Sequence, residues 1–188
     1  MTVAPHIPSQ VPAGVTPQGD GIRVGHGSVV LDAYIDFLCP FCRMFEQTSG
    51  ELLDALVNEE AITLVYHPLG FLDNLSTTRY STRAAAASGC ASDLGMFPQY
   101  ADALYANQPP EGGPGLSDAE LVALGEAIGI PRDEFAPCAV THRYAEWVGY
   151  VTEVALARGV GGTPSVFVQG VPVPANPRTI AAAVQQLL

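Results

Sequence analysis

The stretch VVLDAYIDFLCPFC, residues 29–42, passes from an apolar segment into two cysteines that are separated by two residues. Residues 29–37 are rich in β-branched and aromatic side chains and follow a Gly-Ser pair, which predicts a mostly buried strand. Beyond the cysteines, apolar residues recur near a 3.6-residue period with acidic residues on the other face, which predicts an amphipathic helix. Cys39 then falls at the N-terminus of that helix. Pro40 falls at the first helical position, where a missing N–H costs nothing.

The position of Cys39 determines its expected chemistry. Free backbone N–H groups and the positive end of the helix dipole favour a thiolate over a thiol. Cys42, about one turn further along, is expected to be more shielded and to act as the resolving thiol. Half of a zinc site is the alternative for such a pair, but zinc needs two further ligands. The remaining cysteines and the four histidines show no paired spacing, so we predict a redox-active centre and no metal.

A second motif, Gly161-Gly162-Thr163-Pro164, lies more than 100 residues later and precedes the strand-like residues 165–170. A proline at the head of a strand suits an edge or a turn, and the glycines allow close approach of the backbone. Taken with Cys-Pro-Phe-Cys at the start of a helix, this Gly-Thr-Pro motif resembles the thioredoxin superfamily. The resemblance implies that Pro164 is cis and faces the dithiol, although more than about nine in ten X-Pro bonds are trans.

The distance between the two motifs indicates an insertion. Residues 61–67 predict the next strand, and four Ala-rich runs predict helices over 76–94, 97–107, 117–128 and 132–158, the third beginning with a capping box. A thioredoxin fold with helices inserted before the cis-proline resembles the DsbA-like proteins. We therefore predict an α/β protein with three parts: a Pro/Gly-rich linker over 1–21, a thioredoxin-like domain over 22–75 and 159–188, and an inserted helical subdomain over 76–158.

Two positions depart from the family pattern. Enterobacterial members have His between the cysteines, where this chain has Phe41, so Pro40 and Phe41 are the residues expected to tune the redox potential. Many relatives also place a buried acid six residues before the first cysteine, and that position here is Ala33. Asp32 and Asp36 lie nearby, and we interpret them as solvated or capping carboxylates.

The remaining cysteines are Cys90 and Cys138, which stand 48 positions apart in the helical region. A structural disulfide between them is the favoured interpretation, because an even number of cysteines beside a thiol oxidant suits an oxidising environment. Free buried cysteines, which pack as small hydrophobes, are the alternative.

Composition bears on partners and location. With a formal net charge of −11, eight arginines and no lysine, the chain is not expected to bind nucleic acid. The proline-rich start predicts a tether, and we expect an extracytoplasmic protein whose signal or membrane anchor is not in this sequence, with a cytoplasmic relative as the alternative.

The DsbA-like resemblance implies a protein thiol-disulfide oxidoreductase that introduces disulfides into exported proteins. Cys39 is then the nucleophile, Cys42 the resolving cysteine, and Thr163-Pro164 the loop that holds an extended substrate. The implied substrates are reduced unfolded proteins, and the implied re-oxidising partner is a membrane quinone-linked protein. No cofactor is required for this reaction, and we expect a monomer. The alternatives are a disulfide isomerase or reductase, and a non-catalytic binding module with the same fold.

Overall fold

The computed structural model of the chain describes residues 4–188, and within that range it has five strands and seven α-helices around one hydrophobic core. The strands are β1 (Ile22–Val24), β2 (Val29–Ile35), β3 (Ile62–Pro68), β4 (Ser165–Val168) and β5 (Val171–Val173). The helices are α1 (Pro40–Asn58), α2 (Tyr80–Asp93), α3 (Phe97–Ala106), α4 (Asp118–Ala127), α5 (Arg132–Val140), α6 (Ala145–Ala157) and α7 (Pro177–Gln185). The predicted α/β class is confirmed.

The strands form one sheet in the order β1-β3-β2-β4-β5. Strands β2 and β3 are parallel, and α1 provides the crossover connection that a parallel pair requires. The other neighbouring strands pair antiparallel. Tyr34, near the end of β2, lies opposite Ser165, the first residue of β4. This register brings the segment after β2, with its two cysteines, beside the segment before β4, with Thr163 and Pro164.

The predicted helical runs are present with altered bounds. The last run, 132–158, is interrupted where His142 adopts a left-handed backbone conformation with φ 50°, so that it forms both α5 and α6. The first run becomes helical only at Tyr80, after Arg79, which is also left-handed. The capping box of Ser117 and Glu120 is confirmed at the start of α4. None of the helices within residues 4–188 is long and apolar enough to cross a membrane.

The N-terminal segment differs from the predicted linker. Residues 1–3 of that prediction lie outside the described residues, but residues 4–21 pack on the folded body. The Trp147 indole N–H donates to the Gly19 carbonyl at 2.7 Å, and the Tyr150 hydroxyl donates to the Gln18 carbonyl at 2.7 Å. These donors on α6 need partners because their rings are buried, and the proline-rich segment provides two backbone carbonyls for them. The remaining domain division stays a prediction, since the helices and the sheet share one core.

Candidate active site

Cys39 lies after the turn that follows β2 and immediately before α1, which begins at Pro40. Its extended backbone, φ −76° and ψ 118°, makes it the N-cap of α1, and Pro40 is the first helical residue. Only 4% of Cys39 is exposed. The pKa of Cys39 is lowered to about 6, because a hydrogen bond from the Cys42 thiol, one from Thr163 and the backbone N–H groups of Cys42 and Phe41 together outweigh its burial. Cys39 is therefore mainly a thiolate at neutral pH.

Cys42 lies one turn further along α1 in a different environment. It is 0% exposed, and the Asp36 N–H donates to its Sγ at 3.4 Å. Burial raises the pKa of Cys42 far above its ordinary value, and the neighbouring Cys39 raises it further. The two thiols thus separate into a reactive thiolate and a buried, protonated partner, both free in the structure.

The Gly-Thr-Pro motif lies directly against Cys39. The Thr163–Pro164 peptide bond is cis. When protonated, the Cys39 thiol donates to the Thr163 carbonyl at 3.6 Å, across 124 positions of sequence. The two motifs that the sequence singles out therefore form one site.

An apolar surface surrounds the dithiol. The Phe41 side chain projects outward with 65% of the residue exposed. It separates a groove of about 660 Å³, bordered by Phe71, Leu72 and Leu156, from one of about 630 Å³, bordered by Met44 and Pro164. Exposed apolar patches of this kind mark binding sites. The neighbouring Phe37 and Leu38 are buried in the core and do not contribute to this surface.

Asp36 is a residue whose role the sequence did not reveal. Of the two interpretations, a solvated carboxylate is wrong, because Asp36 is 0% exposed, whereas its side chain does accept from backbone N–H groups. Its Oδ1 accepts from the Leu38 N–H at 2.9 Å and the Ser81 hydroxyl at 2.7 Å, and its Oδ2 accepts from the Leu72 N–H at 2.9 Å. Burial raises the pKa of Asp36 to about 6, although these hydrogen bonds oppose the shift.

Gln108, just after α3, is the second residue that sequence patterns did not identify. Its Nε2 donates to the Phe37 carbonyl at 2.9 Å and to the Cys39 carbonyl at 3.0 Å. Gln108 thereby connects the segment after α3 to the turn between β2 and α1. A glutamine beside a proline pair has no sequence signature for such a role, because its partners are backbone carbonyls distant in sequence.

Positions 33 and 32, in β2, provide no group that contacts either cysteine in the described hydrogen bonds. Ala33 is buried in β2, so no acid occupies the position that many relatives use. Asp32 is partly exposed and pairs with His67, whose Nε2 lies 2.7 Å from Asp32 Oδ1. The other His67 nitrogen lies 2.5 Å from the Asp20 carbonyl oxygen, so the histidine is a packed residue with its own partners.

Cys90 on α2 and Cys138 on α5 form a disulfide with an S–S distance of 1.99 Å, and each residue is 2% exposed. The bond joins two helices of the helical region far from Cys39 in sequence. Within residues 4–188, no group of three or more His, Cys, Asp or Glu side chains is arranged to hold a metal ion.

Comparisons with known proteins agree with this fold. A family model described as Thioredoxin matches residues 19–186. Reduced DsbA from Mycobacterium tuberculosis superposes with a TM-score of 0.78 at 29% identity, covering 89% of this chain and 91% of that chain. The reduced disulfide bond oxidoreductase DsbG of the same organism gives 0.79 at 30% identity, covering 89% and 87%. The predicted thioredoxin fold is thus confirmed.

A curated relative shares only part of its length with this chain. The serine/threonine-protein kinase PknE of Mycobacterium tuberculosis is 33% identical over 119 residues, which is 58% of this chain and 21% of the kinase. The chain therefore spans about a fifth of the length of such curated relatives.

Proposed function

The chain belongs to the DsbA-like thiol-disulfide oxidoreductases of the thioredoxin superfamily, and we propose that it acts as an oxidase that introduces disulfides into exported proteins. The observation that supports this direction is the lowered pKa of Cys39, about 6. A dithiol protein is a stronger oxidant when its reduced form is stabilised, and a stabilised thiolate does this. Cys39 is then the nucleophilic and leaving cysteine, and Cys42 the resolving cysteine.

The proposed reaction transfers two electrons from substrate to protein. A substrate thiolate attacks Cys39 Sγ of the oxidised pair, the Cys39–Cys42 bond breaks, and Cys42 leaves and takes a proton, as its raised pKa favours. A second substrate thiolate attacks the substrate sulfur of the mixed disulfide. Cys39 leaves as the thiolate, and the substrate carries a new disulfide. The reduced protein returns its two electrons to an acceptor, for which the family resemblance suggests a membrane quinone-linked partner.

The surface beside Cys39 suits an extended, unfolded substrate. The cis-proline loop places the Thr163 carbonyl 3.6 Å from Cys39 Sγ, where a substrate backbone could pair with the loop as an added strand. Phe41 and the two grooves beside it provide apolar contacts that tolerate many sequences. We infer that reduced, unfolded proteins are the substrates and that one copy of the chain is sufficient.

An oxidising compartment outside the cytoplasm fits the second pair of cysteines. Structural disulfides form and persist in such compartments and are rare in the cytosol. The buried bond between Cys90 and Cys138 therefore supports an extracytoplasmic location.

The test follows a reduced peptide with two cysteines as it is oxidised by the oxidised protein. Wild type should form the peptide disulfide, Cys39→Ser should abolish the reaction, and Cys42→Ser, given an activated peptide disulfide, should accumulate the mixed disulfide. Circular dichroism of both variants verifies that the fold is intact. Full oxidase activity in folded Cys39→Ser would contradict the assignment.

The same protein preparation distinguishes the alternatives. Recovery of activity from a substrate with scrambled disulfides, catalysed only by the reduced protein, would indicate an isomerase. Peptide binding without any thiol-disulfide exchange would indicate a binding module. Either result would replace the oxidase proposal.

A further inference from the structure

Asp36 contacts both cysteines through its backbone. Its N–H donates to Cys42 Sγ at 3.4 Å, and its carbonyl accepts from the Cys39 N–H at 3.1 Å. These two hydrogen bonds hold Asp36 at the start of the turn that presents the dithiol. The proposed exchange reaction does not use its side chain.

The Asp36 side chain connects three separate parts of the molecule. Leu38 belongs to the turn before Cys39, Ser81 belongs to α2, and Leu72 forms part of the groove wall. The two backbone partners are N–H groups, which donate and cannot accept, and the hydroxyl also donates here. An ionised carboxylate satisfies all three partners, whereas a carboxylic acid would leave its own proton with only the hydroxyl to receive it.

We propose that the Asp36 carboxylate is a positioning residue that ties the Cys39 turn to the Leu72 wall of the groove, and that its negative charge weakens the Cys39 thiolate and so limits the oxidising power of the protein. This inference deepens the proposed function and rests on it. Asp36 thus takes a place in the redox chemistry although the acid position of many relatives is occupied by Ala33.

Within residues 4–188, the groups that shift the pKa of Asp36 include no cation. The ionisable groups that interact with it are Cys39 and Cys42 on one side, Tyr80 of α2 and Tyr105 of α3. None of these four groups is a cation. A buried anion next to a forming thiolate disfavours that thiolate, because like charges repel more strongly away from water.

The interaction is reciprocal. The Cys39 thiolate contributes to the raised pKa of Asp36, after burial as the largest cause, so the carboxylate must raise the pKa of Cys39 by the same coupling. Reduction of the disulfide creates the thiolate, and Asp36 should then take up a proton more readily than in the oxidised protein. The Asp36 carboxylate therefore couples the redox state of the dithiol to the hydrogen bonds that it accepts from Leu38 and Leu72.

The test compares wild type with Asp36→Asn and, as a matched control, Ser81→Ala. Asn removes the charge and turns an amide N–H₂ toward one of the donors, whereas Ser81→Ala removes one hydrogen bond and keeps the carboxyl group. We expect Asp36→Asn to lower the Cys39 pKa by about one unit and to raise the equilibrium constant for oxidation of glutathione about tenfold. Ser81→Ala should change that constant less than about twofold.

Several outcomes would overturn the inference. An unchanged or raised Cys39 pKa in folded Asp36→Asn would show that the charge has no effect on the thiolate. An equal shift in Ser81→Ala would show that packing alone is responsible. If Asp36→Asn does not fold, the reduced-minus-oxidised infrared difference spectrum of wild type near pH 6 is decisive. It should show a protonated carboxyl band that appears on reduction, and absence of that band would refute the coupling.

Failure of the proposed function would give a different experimental result from failure of this inference. Wild type would then not exchange disulfides with glutathione or with the reduced peptide. The Cys39 titrations of wild type and Asp36→Asn would still be readable, because they do not depend on a substrate.

Discussion

Removal of the Cys90–Cys138 disulfide should cost a large part of the stability of this protein. The two cysteines join α2 to α5 and are both almost completely buried. The double variant Cys90→Ala/Cys138→Ala removes the bond without placing a new polar group in the core. It also leaves the Cys39–Cys42 pair untouched.

The expected loss follows from the length of chain that the bond closes. The cysteines are separated by 48 positions, and the chain-entropy relation gives about 4 kcal/mol at 25 °C for a loop of that size. The small voids left by two sulfur atoms add to this loss. Since domains of this kind are stable by about 5–15 kcal/mol, the variant should remain folded but with a much lower urea midpoint.

Urea unfolding followed by circular dichroism measures the loss. Cys39→Ala/Cys42→Ala is the matched control, because it also removes two cysteines but keeps the structural disulfide. Mild reduction and alkylation of wild type, read by mass spectrometry, should label Cys39 and Cys42 before Cys90 and Cys138. A loss below about 1 kcal/mol, or simultaneous labelling of all four cysteines, would refute the reasoning.

Two further predictions concern the thiolate. Phe41→His should lower the Cys39 pKa, because the imidazole supplies a donor or a charge that Phe41 lacks, and should make the protein more oxidising by about 20 mV per kcal/mol of added thiolate stabilisation. Absorbance titration of the thiolate measures the pKa, and a glutathione equilibrium measures the potential. An unchanged potential would contradict this prediction. The pKa of Cys39 is lowered from 9.0 to about 6, so the reduced protein should lose stability relative to its unfolded chain as pH falls from 9 to 6, while the oxidised protein lacks this contribution. Urea midpoints of both forms measured across that range test the sign, and parallel curves would contradict it.

The parts of the site that the sequence predicts are those with short-range patterns. A strand, a cysteine at a helix N-cap and a proline at the first helical position are all local features, and Cys39 and Pro40 occupy these positions in α1. The residues of the Thr163–Pro164 loop are recognisable as a motif before a strand, but only the family resemblance predicts that they face the dithiol. Its contact with Cys39 depends on the pairing of β2 with β4, which local patterns do not encode.

The parts that the sequence did not predict depend on contacts between distant residues. Gln108 and Asp36 act on backbone groups, and neither belongs to a motif with a fixed partner spacing. The N-terminal segment has the composition of a linker, yet the buried donors of Trp147 and Tyr150 hold it against α6. Composition indicates how readily a segment can be flexible, whereas the unsatisfied groups of the rest of the fold decide whether it is.

Two opposing effects act on the sulfur of Cys39. Hydrogen bonds from the Cys42 thiol, Thr163 and the first N–H groups of α1 favour the thiolate, and burial disfavours it. The hydrogen bonds prevail, since the net pKa of Cys39 is about 6. Because they come from the backbone and from neighbouring residues, the side chain between the cysteines is not needed to generate a thiolate. Phe41 is therefore available, with its exposed ring, for the substrate contact that we propose.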